Sequence, residues 1–418
     1  MVVKILLSFL NKKYSSMDKF IAQLKDLGVS FLTNENNKYY FYGDLDLHGK
    51  SVKYLPDNLT VFGDVNLSYA KINNLPNNLI VVGNLNLRGS NISSLPNNLT
   101  VQNDLVLSRT FVKNIPDDLI VGGCLGLSFT PITELPDNFK VGTELVMYSS
   151  KITKLPSNLT VGRNLDLSET KITELPDDLT VCHDIDLSDT PITKLPNNLT
   201  IAGSLFLYSS KISKLPENLT VQGTLELRKT NIIELPDNLS VGANIYADDK
   251  IDISQVNRVL SPEQEKKIKS LRNMPVFWER NGVRYIKAYY NFFVIDSYYN
   301  NVYRVHELEQ EDKQFYLVTD DENNWGIGKT IAGAESDRIY HSCDKDISHY
   351  KDISLDDTLT FYEVMAVYYA ITGACSVDIR DFIDKYFADS HKDIYTIREF
   401  IELIKNEYGG KKFAKFFK

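Results

Sequence analysis

Cysteine is scarce. The four in this 418-residue chain, Cys124, Cys182, Cys343 and Cys375, stand far apart and form no Cys-x-x-Cys pair. This spacing excludes a disulfide framework and a four-thiolate zinc site, and it fits a reducing, cytoplasmic setting best. Excess positive charge is missing as well, with 46 Lys and Arg against 55 Asp and Glu and a net charge of -9. A general nucleic-acid binder needs a basic face to neutralise phosphates, so nucleic acid is left as an indirect partner or one held by a local basic site. Nor does any apolar run reach the ~20 residues of a membrane span, and no membrane partner is expected. The apolar segment 2–10 lacks a small-residue cleavage site, and Asn11-Lys12-Lys13 follows it directly. It reads as a capping strand or helix rather than a signal peptide. With 43% hydrophobic residues the chain is globular rather than disordered.

What the chain has is a beat of twenty residues. Leu-Pro, once Ile-Pro, recurs at 55, 75, 95, 115, 135, 155, 175, 195, 215 and 235 with no insertion between copies. A fixed period of this size signifies stacked supersecondary units, a solenoid. In one copy, Leu165 and Leu167 alternate with Asn164, Asp166 and Ser168. The period of two predicts a strand with its leucines inward, joined in the core by Leu155, Leu159, Val161 and Ile172. Proline cannot donate to a sheet ladder, so the Leu-Pro step belongs on the return side of each coil. Gly63, Gly83, Gly123, Gly203 and Gly223 fit a tight corner before the strand. Coils stacked at about 4.8 Å would make ten repeats about 45–50 Å long. Asn-x-Thr triplets at Asn58, Asn98 and Asn158 match a glycosylation acceptor, but they recur with the repeat and read as turn-forming residues.

The segment Leu165-Asp166-Leu167 through Thr170 and Ile172 resembles the core of leucine-rich repeats, and Leu155-Pro156 resembles the Leu-Pro subclass of bacterial effectors. The resemblance covers residues 43–250. It implies a parallel-sheet α/β solenoid that binds protein partners. Two departures accompany it. Thr, Ser or Ala stands where the family carries Asn, as at Thr110, Thr130, Thr170, Thr190 and Thr230, which predicts a ladder of hydroxyls. The stretch from Leu159 to Leu165 is also longer than in the effector subclass.

Residues 1–42 read as an N-terminal cap, with a helix over 17–27 and a strand over 39–42, because an open solenoid end exposes its core and a strand edge. After residue 250 the pattern stops. Ser261-Pro262-Glu263-Gln264 signals a helix start. Strand-like runs follow around Asn281-Gly282 and Asn300-Asn301, with a further strand over 315–319. Helices are predicted after Thr330, Thr360, Ser376 and Thr396, the last ending at Gly409-Gly410. Residues 251–418 are thus expected to form an α+β domain. Its motifs Trp325-Gly326-Ile327-Gly328-Lys329-Thr330, Ile371-Thr372-Gly373-Ala374-Cys375 and Tyr395-Thr396-Ile397-Arg398-Glu399 resemble segments of uncharacterised phage and gut-bacterial proteins. That resemblance implies a phage or mobile-element setting and no chemistry.

Three groups bear on catalysis. Gly328-Lys329-Thr330 resembles the end of a phosphate loop, but Asn323 stands where its first Gly is needed, and Asp320, Asp321 and Glu322 would repel phosphate, so a turn and a Thr cap are preferred. His341, Cys343, Asp346 and His349 match no standard zinc spacing, and no metal or other cofactor is called for. Effectors with similar Leu-Pro repeats carry a ubiquitin-ligase domain whose Cys lies two residues before an Asp. The Cys375/Asp378 and Cys343/Asp346 spacings differ, leaving Cys375 as the sole weak catalytic candidate and a buried structural Cys as its ordinary reading. The basic, aromatic tail 411–418 reads as a final helix.

The outward strand positions vary while the framework does not. Most are polar, but Tyr148, Phe206 and Tyr208 are aromatic, the residue type of interaction hot spots. With Asp166, Asp184, Asp186, Glu226 and Arg228 they form the expected partner-binding set, suited to a basic, partly apolar protein. The first functional expectation is a non-enzymatic interaction protein, for example a phage product that occupies a host defence enzyme. The alternative is an effector whose repeats select a target for a catalytic C-terminal domain.

Overall fold

The computed structural model describes residues 33–35, 38–52, 55–197, 199–288, 291–320, 322–343, 345–375, 380–387 and 392–417. The apolar segment 2–10 and the helix expected over 17–27 lie outside them. The chain divides into two compact units, Met1–Arg280 and Asn281–Lys418.

In the first unit each coil turns through two short strands, as in Thr160–Val161 followed by Leu165–Asp166. The Leu165–Asp166 type stacks into one parallel sheet of eleven strands, from Leu45–Asp46 to Ile245–Tyr246. Register is kept in phase: Leu165 faces Leu145 and Ile185, and Asp166 faces Val146 and Asp186. Strands of the Thr160–Val161 type form three shorter sheets on another side of the coil. These second strands went unread in the sequence because two residues are too short to show a period. The predicted core positions Leu155, Leu159, Val161, Leu165, Leu167 and Ile172 are all 5% exposed or less. The structure is thus a parallel β-solenoid followed by a unit of antiparallel sheet and helices.

Two sets of side chains secure the coils, one within each turn and one between turns. Thr110, Thr130, Thr170, Thr190 and Thr230 are buried, and each Oγ1 donates to the carbonyl three residues back at 2.6–2.7 Å. The expected hydroxyl ladder is therefore a set of bonds inside each coil. A ladder between coils does exist, but it is made by the Asn before Leu59 and its counterparts. Asn78 Nδ2 donates to Asn58 Oδ1 at 2.7 Å, Asn98 to Asn78 at 2.9 Å, and Asn158 to Asn138 at 3.1 Å. These residues adopt φ of 54–59°, the left-handed region that Asn tolerates well. The Asn of the glycosylation-like triplets thus has a structural job, and Thr60 and Thr100 beside it are buried. At Gly223 the small residue is required by close approach rather than by φ: a Cβ would lie 2.7 Å from the carbonyl carbon of Gly203 in the preceding coil.

The segment after the last coil runs back along the short sheets, against the order of the coils. Its helix Pro262–Arg272 begins with the capping box that Ser261 and Gln264 predict. Gln264 Nε2 donates to Thr220 Oγ1 at 2.9 Å and Ser240 Oγ at 3.1 Å, and Arg272 donates to Ala202 O at 2.6 and 3.0 Å. In the strand Val276–Arg280, Phe277 O accepts from Lys140 Nζ at 2.9 Å, and Trp278 Nε1 donates to Lys140 O at 3.3 Å. Arg280 ends the segment, donating to Thr100 Oγ1 at 2.6 Å, Asp118 O at 3.2 Å and Leu99 O at 3.3 Å. Carbonyls and hydroxyls at the short-sheet strands thereby find partners that a bare solenoid side would leave to water.

The second unit opens with an antiparallel meander: Val283–Ala288, Asn291–Tyr299, Val302–Glu307, Gln310–Thr319 and Trp325–Gly328. Asn281 and Gly282, and Asn300 and Asn301, all adopt positive φ, as tight hairpin turns require. Helix Ile331–Ser342 is capped by Thr330, and Phe361–Thr372 by the Thr360/Glu363 box, with Gly373 left-handed at its end. Thr396 and Glu399 form the box for Ile397–Ile404, which stops short of the expected Gly409-Gly410 end. Gly410–Phe416 is a separate helix that buries Phe413 against Tyr368 and Phe400. The cap expected at Ser376 lies outside the described residues, and the helix there is Arg380–Phe387.

Candidate partner-binding face

The eleven-stranded sheet turns two rows of side chains outward. In register along the first lie Asp166, Asp186, Phe206, Glu226 and Tyr246. The second contains Tyr148, Ser168, Ser188, Tyr208 and Arg228, two residues further along each coil. A third line, which the sequence reading passed over, consists of the next residue in each coil. Arg109, Phe129, Glu169, Asp189 and Lys229 stand there with φ of 55–61°. This backbone turns the chain sharply and sets each side chain beside the second row. Only its place directly after the outward positions could have revealed this line in the sequence.

Aromatic and charged groups meet along these rows. Phe129 packs edge-on to Tyr148 with ring centroids 5.2 Å apart, and Arg109 lies over Phe129 at 4.3 Å. A hydrogen bond to Glu169, more than any other cause, raises the Tyr148 phenol above its ordinary pKa. At the other end Lys229 lies over Tyr208 at 4.7 Å, and Arg228 over Tyr246 at 5.2 Å. Tyr148, Phe206 and Tyr208 are half-buried, whereas Phe129 and Tyr246 are exposed by 42% and 46%. The missed rings thus present more surface than the predicted ones.

The predicted acids divide into different jobs. Asp184 sits at the corner before its strand, and its Oδ1 accepts the Ser204 backbone N–H of the next coil at 2.6 Å. Asp64 and Asp104 do the same for Asn84 and Cys124, so this outward position is largely a structural ladder. Glu226 is buried and bound to Arg228 through Nε at 2.9 Å and Nη2 at 2.5 Å. Burial works to raise its pKa, but the hydrogen bonds and charge of Arg228 hold it below the ordinary carboxylate value. Asp166 Oδ1 accepts from the Ser168 N–H at 2.9 Å and the Ser168 hydroxyl at 2.5 Å, and Asp186 Oδ1 accepts from the Ser188 N–H at 2.9 Å. Burial raises the Asp186 carboxyl, and the negative charges of Asp166 and Asp189 add to this against the Ser188 bonds. The structure therefore brings Asp166, Asp186 and Phe206 onto one row beside Tyr148 and Tyr208, and assigns Asp184 to the framework.

The other candidates are placed apart from any such arrangement. Gly326 and Gly328 lie in a strand pressed against helix Ile331–Ser342, where a Cβ on either would collide with the backbone around Ala334. The glycines that resembled a phosphate loop serve strand–helix packing, and Thr330 Oγ1 already accepts the Gly333 N–H at 3.0 Å. His341 lies beside Asp337 at 3.7 Å and His349 beside Asp346 at 3.8 Å, each within its own turn. Among the described residues no three His, Cys, Asp or Glu side chains are grouped to hold a metal ion. Burial, then Asp104 and Glu144, pushes the Cys124 thiol up to about 12, and burial does the same for Cys182, leaving both poor nucleophiles. Cys375 is half-buried just past helix Phe361–Thr372, and Asp378 lies outside the described residues. No described helix is long and apolar enough to cross a membrane.

No family model matches the sequence, and no curated protein does. Seven solved chains are similar to it, two of them as follows. A leucine-rich-repeat protein of Leptospira interrogans is 18% identical, with a TM-score of 0.24, over 51% of this chain and 71% of that one. YopM of Yersinia enterocolitica is also 18% identical, with a TM-score of 0.20, over 51% of this chain and 76% of its own. The phage and gut-bacterial resemblance of the C-terminal unit finds no counterpart in these comparisons.

Proposed function

We propose that this chain is a protein-binding scaffold whose long sheet is its recognition face. The observation that carries the reading is the division of labour within each coil. Leu165, Leu167, Thr170 and their counterparts repeat with little change and are buried, whereas the outward rows vary from Ser to Tyr to Asp. Side chains that hold nothing in the fold are free to be chosen for a partner, and aromatic rings among charges are the usual anchors of protein interfaces. The short sheets are engaged by the segment from Gln264 to Arg280, which leaves the long sheet as the recognition side of the coils. Blocking a host defence enzyme is one role such a scaffold fills without chemistry of its own, and free thiols suit it to a reducing cytoplasm.

The test is site-specific photo-crosslinking in cells with a benzophenone side chain at Ser188, on the long sheet, or at Asp177, in the turn after Pro176. A discrete partner band from Ser188 and none from Asp177 is expected. Equal bands, or a band from Asp177 alone, would place the interface elsewhere.

A further inference from the structure

We propose that the middle coils of this face take an extended, lysine- or arginine-bearing segment of a partner protein, cationic at its centre and apolar at its ends. The inference rests on the long sheet being the recognition face and adds the chemistry of the occupant. Its first ground is charge. Asp166, Glu169, Asp186 and Asp189 lie in two adjacent coils, and among the described residues no Lys or Arg forms an ion pair with any of them. Asp166 and Asp186 are register partners on neighbouring strands, about 4.8 Å apart. Like charges directly opposite are unfavourable, and a cation laid between them removes that cost.

The second ground is independent of the acids. At three places on this face its own cation sits over a ring: Arg109 on Phe129, Lys229 on Tyr208, Arg228 on Tyr246. Arg228 shows the complete arrangement, a ring on one side and the Glu226 carboxylate on the other. The two coils between Tyr148 and Tyr208 keep the carboxylates, with those rings flanking them, but have Ser168 and Ser188 where Arg228 stands. Three coil steps from Tyr148 to Tyr208 span about 14 Å, the length of about four residues of extended chain. A peptide crossing the coils would therefore rest an apolar residue near each Tyr and its cations over the acids between them.

The probe is a peptide with the core Leu-Lys-Arg-Lys-Leu, titrated calorimetrically into the full chain beside Leu-Glu-Asp-Glu-Leu. The variant is Asp166→Asn, Glu169→Gln and Asp186→Asn together. Asn is fold-compatible here by internal precedent, since Asn66 and Asn86 make the same bond to the residue two further on. Circular dichroism checks that the variant keeps its strands. The basic peptide is expected to bind, the acidic one not, and the triple variant to lose at least about tenfold in affinity, as close interfacial charge pairs do. Equal affinity for the two peptides, no binding of the basic one, or unchanged affinity in the triple variant would overturn the assignment. If that happens while Ser188 still crosslinks a partner, the face stands and only the occupant's charge is wrong.

Discussion

Three buried serines occupy the position that threonine fills in other coils. Ser90, Ser150 and Ser210 are at most 4% exposed, and the Oγ of each has no hydrogen-bond partner among the described residues. At Thr110, Thr130, Thr170, Thr190 and Thr230 the hydroxyl donates to the carbonyl three residues back. Threonine is stiff about χ1, and its methyl group holds the hydroxyl toward that carbonyl, whereas serine rotates freely. Replacing each Ser by Thr should gain about 1 kcal/mol from the bond and about 0.8 kcal/mol from the buried methyl group. The sites are three coils apart, about 14 Å, far enough to add. The triple variant Ser90→Thr, Ser150→Thr, Ser210→Thr should therefore gain about 5 kcal/mol in urea unfolding. The reverse change Thr170→Ser should lose about 1–2 kcal/mol. A triple variant no more stable than the parent, or less stable, would refute the reasoning, because it would show that the coil closes at serine without strain or loss.

Other consequences are as direct. Leu167→Ala should cost on the order of 2–5 kcal/mol, seen as faster amide exchange concentrated in the neighbouring coils, since each coil touches only the next. Arg280→Ala should cost on the order of 2–4 kcal/mol and raise exchange across Val276–Arg280, because it removes the donors held by Leu99, Thr100 and Asp118. Asp186→Asn should be more stable than the parent at neutral pH. Because the folded carboxyl is raised, its contribution is fully present below the ordinary aspartate value of 3.8 and lost as pH rises through the raised one. The variant's advantage should therefore vanish below pH 3.8 in a stability–pH series. Gly326→Ala should unfold the second unit's strand–helix packing, read as loss of near-ultraviolet signal from Trp325, because the added Cβ meets the Ala334 carbonyl.

The solenoid was legible because its information is written ten times. Leu165, Leu167 and Ile172 keep their spacing in every coil; the inward assignment of Leu165 and Leu167 follows from period two, and that of Ile172 from its recurrence as an apolar position. What the repeat could not show is which polar residue bonds to which neighbour. Asn58 and Thr170 look alike as turn formers, yet one bonds across coils and the other within its own. Asp184 and Asp186 are two residues apart and alternate alike, but a corner sends the first into the framework and leaves the second on the face. Phe129 and Lys229 were missed because a left-handed residue after the strand breaks the alternation used to find outward positions. In the second unit the capping boxes at Thr360 and Thr396 mark helix starts locally, while the strand Trp325–Gly328 is hidden by glycines that only a packed helix explains.

The central claim is that the outward rows of the long sheet meet the partner. Carbodiimide labelling of carboxylates in the free chain and in the complex captured through Ser188 tests it most directly. The account predicts that Asp166, Glu169 and Asp189 become protected on binding while Asp177 and Asp237, in the turns after the prolines, label as before. Protection of Asp177 and Asp237 with Asp166, Glu169 and Asp189 unchanged would contradict it.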